Sequence, residues 1–107
     1  MIAEEAKTAF DELADQLAPV GVTSGAMFGK QALKANGKAF ACLLDSTLAF
    51  RLDAGTPEHA SALGLEGSEL FDPSGRGRPF KDWVAVTSDN VGSWPNFAAA
   101  ALAVVSA

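Results

Sequence analysis

Apolar residues recur at helical spacing near the two ends of the chain and at strand spacing between them. Over residues 2–18, Ile2, Ala6, Phe10, Leu13 and Leu17 fall three or four positions apart, while Glu4, Glu5, Lys7, Asp11, Glu12 and Asp15 occupy the rest of the cylinder. That pattern predicts an amphipathic helix. Its acids crowd the N-terminal half, where they complement the helix dipole, and Pro19 and Gly21 stop it. From Val22 the period shortens to two. Phe40, Cys42 and Leu44 alternate onto one predicted face, as do Leu48, Phe50 and Leu52. Asn36-Gly37 accepts the positive φ angles of a type I′ hairpin turn, and Asp45-Ser46 joins the next two runs. Residues 26–52 therefore predict a three-stranded antiparallel meander.

Further along, Thr56 offers a capping hydroxyl before Pro57, which predicts a short helix over 57–63 closed by Gly64. Two more strands are expected over 69–71 and 80–87. Between them, Asp72-Pro-Ser-Gly-Arg-Gly-Arg-Pro79 contains two glycines and two prolines, a loop composition. Ser93 caps a last helix running from Trp94 toward Val105, with Pro95 in its first turn. The order α-β-β-β-α-β-β-α predicts an α+β fold in two layers, a mainly antiparallel five-stranded sheet with flanking helices, built as one domain over 1–107.

With 107 residues, 49% of them hydrophobic, the chain is long enough to bury a core without staples. One cysteine and one histidine leave no disulfide and no ordinary zinc site, so neither a metal nor a cofactor is expected. The net charge is −5, distributed as −4 over residues 1–20, +2 over 21–50 and −3 over the remainder. An acidic chain gains little from counterion release, which argues against direct nucleic-acid binding. The N-terminus lacks the basic flank and apolar run of a secretory signal, and the run from Phe97 to Val105 is far short of the roughly 20 residues a membrane span requires. A cytoplasmic protein is expected, and an unpaired Cys42 suits a reducing compartment.

Few residues carry obvious chemistry. His59 has the one side chain with an ordinary pKa near neutrality, but its setting reads as an exposed helix position with no positioned partner. Cys42 lies between Ala41 and Leu43 in an apolar strand, where burial raises a thiol pKa and suppresses nucleophilicity. Gly75-Arg76-Gly77-Arg78-Pro79 could present guanidinium forks and backbone N–H groups to a phosphate or carboxylate; the plainer reading is a soluble strand connection. Trp83 and Trp94 read as core aromatics. The alanine-rich last helix suits either close packing inside the domain or a dimer interface.

Taken together, Met27-Phe28-Gly29, the turn Asn36-Gly37-Lys38, Phe40-Ala41, the strand from Leu48 to Leu52, and Gly77-Arg78-Pro79 before Asp82-Trp83-Val84 resemble the N-terminal domain of the TfoX/Sxy family. These are bacterial proteins associated with natural-competence regulation. Lys30 stands where the family commonly has a second glycine, and Phe80 where it commonly has methionine. The resemblance implies a two-layer α+β domain similar to secretion-chaperone-like folds, which often dimerise, and it implies no catalytic residues. On this ground the chain is expected to be a small non-enzymatic regulatory domain that binds a protein partner. Met27, Phe28, Gly29, Arg76, Gly77, Arg78 and Pro79 are the expected contact residues, on two neighbouring loops, with Trp83 as a further wall. The rival expectation is a small-molecule or anion-binding module built on the loop from Gly75 to Pro79.

Overall fold

A computed structural model of the chain describes residues 4–27, 29–72, 77 and 79–106. The first helix, α1 (Glu4–Leu17), turns Ala6, Phe10 and Leu13 inward along one stripe. A short 3-10 turn over Ala18–Val20 follows, and Gly21 ends it in the left-handed region at φ 93°, where a side chain would be strained. Four strands come next: β1 (Thr23–Met27), β2 (Lys30–Ala35), β3 (Lys38–Leu44) and β4 (Thr47–Arg51). After α2 (Pro57–Leu63) come β5 (Glu69–Phe71) and β6 (Phe80–Thr87), then a 3-10 segment over Ser88–Ser93 and α3 (Trp94–Ser106).

The class is α+β, as the patterning predicts, but the sheet has six strands in place of five, in the order β1-β2-β3-β4-β6-β5, with every pair antiparallel. The additional strand is β1. Its sequence Thr-Ser-Gly-Ala-Met has no alternation of large apolar residues, because it lies at the sheet's edge with three of its five residues exposed. The turn at Asn36-Gly37 has φ values of 54° and 77°, the left-handed pair that a type I′ hairpin needs.

One strand departs from simple alternation. Leu33 lies opposite Ala41 but Lys34 lies opposite Ala39, so Phe40 is an extra residue in β3. This bulge turns Phe40 into the main core with Ala41 and Leu43, whereas Cys42 and Leu44 join a cluster on the opposite face. The expected grouping of Phe40, Cys42 and Leu44 is thereby corrected: one inserted residue changes the face of everything beyond it.

The main core lies between the sheet and the helices. Leu33, Phe40, Leu43, Leu48, Phe50, Leu52, Val84 and Val86 meet Phe10 and Leu13 of α1, Ala62 of α2, and Trp94, Ala98, Ala101 and Val105 of α3. Small residues on α3 let it lie close across β3 and β4. Ala98 and Ala101 are thus spent inside the domain, while Ala99 and Ala103 face outward. The indole N–H of buried Trp94 donates to the Thr87 carbonyl at 3.2 Å, which satisfies its one polar atom. Among the described residues no helix is long and apolar enough to cross a membrane.

Candidate functional site

Among the described residues, α1, α2 and α3 contribute to the core on one side of the sheet, and none of them contributes to the cluster on the other. On that helix-free face, direct cross-strand partners form a row of small residues: Gly25, Ala32, Cys42, Ala49 and Ala85, with Glu69 at the far end on β5. Since neighbours in register share a face, the row crosses all six strands. Ala32, Cys42 and Ala49 are fully buried. Around them, Met27, Ala39 and Leu44 pack on the cluster, and the larger Phe71 and Trp83 lie against each other with ring centroids 5.9 Å apart. Phe80 meets Phe71 edge-on at 6.0 Å.

The same face carries cations. Lys30 and Lys34 flank Ala32 two positions away along β2, and Arg51 lies two beyond Ala49 on β4, opposite Trp83. Among the described residues neither lysine has a carboxylate within ion-pair distance; Arg51 reaches Asp53 through Nε at 3.4 Å. That exposed pair is worth little in water. Acids dominate α1 instead, where Glu4, Glu5, Asp11, Glu12 and Asp15 face solvent with a single Lys7–Asp11 pair at 2.7 Å. The molecule is therefore charged differently on its two sides.

Cys42 lies in the middle of the small-residue row. Burial pushes its thiol up to about 11, and the nearby Lys30 cation offsets only part of that. At neutral pH the sulfur stays protonated, since thiolate would have to form in a desolvated setting. His59 differs from expectation. It is only 8% exposed, and its Nε2 lies 2.7 Å from the Lys81 carbonyl of β6. The Thr56 hydroxyl caps α2 by accepting from the His59 backbone N–H at 3.2 Å, which fixes the imidazole against the strand. The carbonyl of Asp82 next door accepts from Leu52 and Asp53, and its carboxylate accepts from the Ala54 N–H at 2.8 Å. His59 thus belongs to a clamp that fastens the β4–α2 connection to β6.

The expected contact residues are distributed over the sheet. Met27 ends β1, half-buried on the helix-free face, and Gly29 follows at φ 74° in the tight turn into β2. Phe28 lies outside the described residues, as do Arg76 and Arg78. Gly77, also left-handed at φ 75°, donates its N–H to the Asp72 carboxylate at 2.9 Å, and Pro79 leads into β6. A groove of about 430 Å³ there is lined by Glu69, Leu70, Asp72, Gly77 and Pro79. Three strands separate β1 from β6, and Met27 lies at the sheet end where β6 finishes, whereas Pro79 lies where β6 begins. Met27 and Pro79 are at diagonal corners of the sheet. What the face joins is Met27 and Trp83, through the cluster around Cys42.

Sequence patterning overlooked the row itself. Its signal was present: Ala32, Cys42, Ala49 and Ala85 each adjoin large apolar residues, an alternation of large with small that marks strands dry on both faces. No group of three or more His, Cys, Asp or Glu residues is placed to hold a metal ion among the described residues. Compared with family models, with curated proteins and with solved structures, the chain matches none.

Proposed function

We propose that the chain is a small non-enzymatic interaction domain, resembling the N-terminal domain of the TfoX/Sxy family, that acts in the bacterial cytoplasm by binding another protein. The observation that carries this reading is the helix-free sheet face. It holds a dry, small-residue floor, the aromatic pair Phe71 and Trp83, and a border of Lys30, Lys34 and Arg51. Phe71 and Trp83 are buried, so what this face offers a partner is its half-exposed border of cations around a packed apolar floor. The two side chains that would serve acid–base or nucleophilic chemistry are both engaged in structure, His59 with the Lys81 carbonyl and Cys42 in the cluster, where its thiol stays protonated.

The test is capture from native lysate with mass spectrometry, using wild type and Arg76→Glu/Arg78→Glu as parallel baits. A partner kept by wild type and released by the variant supports the reading and assigns the loop from Gly75 to Pro79 to the interface. Failure of both baits to retain a partner counts against it and favours an anion-binding module, for which a thermal-shift screen of phosphates and carboxylates is the corresponding experiment.

A further inference from the structure

The two edges of the sheet are built differently. At one edge, β5 is three residues long, begins with a charged Glu69, and slips register against β6 between Leu70 and Phe71. Short length, charge and a bulge are the devices by which proteins keep a foreign strand from pairing with an edge. At the other edge, β1 has none of them. Thr23–Met27 carries no charge and no proline, pairs with β2 in unbroken register over its full length, and leaves Thr23, Ser24 and Ala26 exposed. Among the described residues it pairs only with β2, so its outward N–H and C=O groups have no strand partner.

Gly25, at the centre of β1, supplies a second and independent observation. Its backbone is not in the left-handed region, so its conformation does not require glycine. Space does. A methyl group placed there would lie 3.0 Å from Cε, 3.1 Å from Cδ and 3.4 Å from Nζ of Lys34. The missing side chain lets Lys34 lie across β1 and bring its ammonium to the open edge, where no carboxylate of the described residues meets it.

We propose that β1 is a docking edge for an extended acidic peptide segment of a partner, which adds as a further strand and places a carboxylate beside Lys34. Main-chain hydrogen bonds to an edge give affinity in this mode of recognition, and side chains at alternate positions give specificity. Charge complementarity selects the occupant. A second copy of the chain, pairing β1 to β1 about Gly25, would bring two Lys34 ammoniums to the same junction, whereas a Glu or Asp on the incoming strand meets its opposite charge. This inference rests on the interaction-domain reading and names its partner class.

The probes are short peptides alternating Thr and Val around a central Glu, Gln or Lys, titrated into the full chain while backbone amides are followed by NMR. Shifts and new exchange protection at the outward amides of β1 are expected. The Glu peptide should bind about threefold more tightly than the Gln peptide at low salt, with the difference shrinking in 1 M salt. Lys34→Glu should reverse the preference toward the Lys peptide. Lys34→Met, which removes the ammonium but keeps the stem, should abolish the preference while binding persists. Each variant's thermal melt establishes that it is folded. Absence of β1 perturbation at saturating peptide overturns the proposal, as does a homodimer that shields the same amides. If β1 stays silent while the lysate partner is still lost from the Arg76→Glu/Arg78→Glu bait, the edge assignment alone fails and the interaction reading stands.

Discussion

The two faces of this sheet use the same strands for opposite purposes. On the covered face, Leu33, Leu43, Leu48, Phe50, Val84 and Val86 present large side chains to three helices; on the other, Ala32, Cys42, Ala49 and Ala85 present almost none. Size alone separates them, since both sets are apolar and both are buried. Hydrophobic stabilisation grows with the area removed from water, so the covered face holds most of the folding energy. On the other face the row itself buries little per residue, Phe71 and Trp83 are buried beside it, and the half-exposed cations Lys30, Lys34 and Arg51 stand at its periphery. Substitutions should therefore divide by face into those that unfold the domain and those that change what it binds.

The sharpest way to break that comparison is at Phe50. It is fully buried at the centre of the covered face, with its ring 6.0 Å from that of Phe97 on α3. Phe50→Ala should cost about 3–5 kcal/mol, a large fraction of the ~5–15 kcal/mol available to a domain of this kind. Urea denaturation measures it; a loss below about 1 kcal/mol would mean that the helical face is not where stability resides.

A smaller effect belongs to Cys42 on the helix-free face. Its thiol, raised by burial to about 11 in the folded chain, titrates near 9.0 once exposed. The unfolded chain therefore loses this proton first as pH rises, and stability falls across pH 9–11. Below pH 9 the contribution is fully present. Wild type should lose ~2 kcal/mol over that window relative to Cys42→Ala, in which the group is removed. Paired urea melts at pH 8 and pH 10 read the onset of this slope, and parallel curves for the two proteins would show that Cys42 is not desolvated in the fold.

How much of this was written in the chain differs between elements. Thr56-Pro57 and Gly64 bracket α2 as expected, and the strands 69–71 and 80–87 fall where turn residues delimit them. These are local signals, set by caps and φ preferences that need no tertiary partner. The edge strand β1 escaped because a half-exposed strand of Thr, Ser, Gly and Ala shows no large apolar period. The bulge at Phe40 and the burial of His59 escaped for another reason: each depends on a neighbour distant in sequence, β2 for the first and the Lys81 carbonyl for the second. Of the candidate site, Trp83 was legible as a core aromatic, and Met27 was singled out through the resemblance. The reach of Lys34 over Gly25 was not, because nothing local aligns them; they become neighbours only through the β1–β2 register.

Helices cover one face of the sheet and the edge strand β1 is left unpaired on its outer side, and native-state amide hydrogen exchange of the unliganded chain tests that asymmetry most directly. Amides of β3 and β4, paired on both sides beneath α3, should exchange only through global unfolding, whereas the outward amides of β1 should exchange at close to unprotected rates. Protection of every β1 amide to the level of β3 would mean that the edge is already covered, and the account would be wrong at its most functional point.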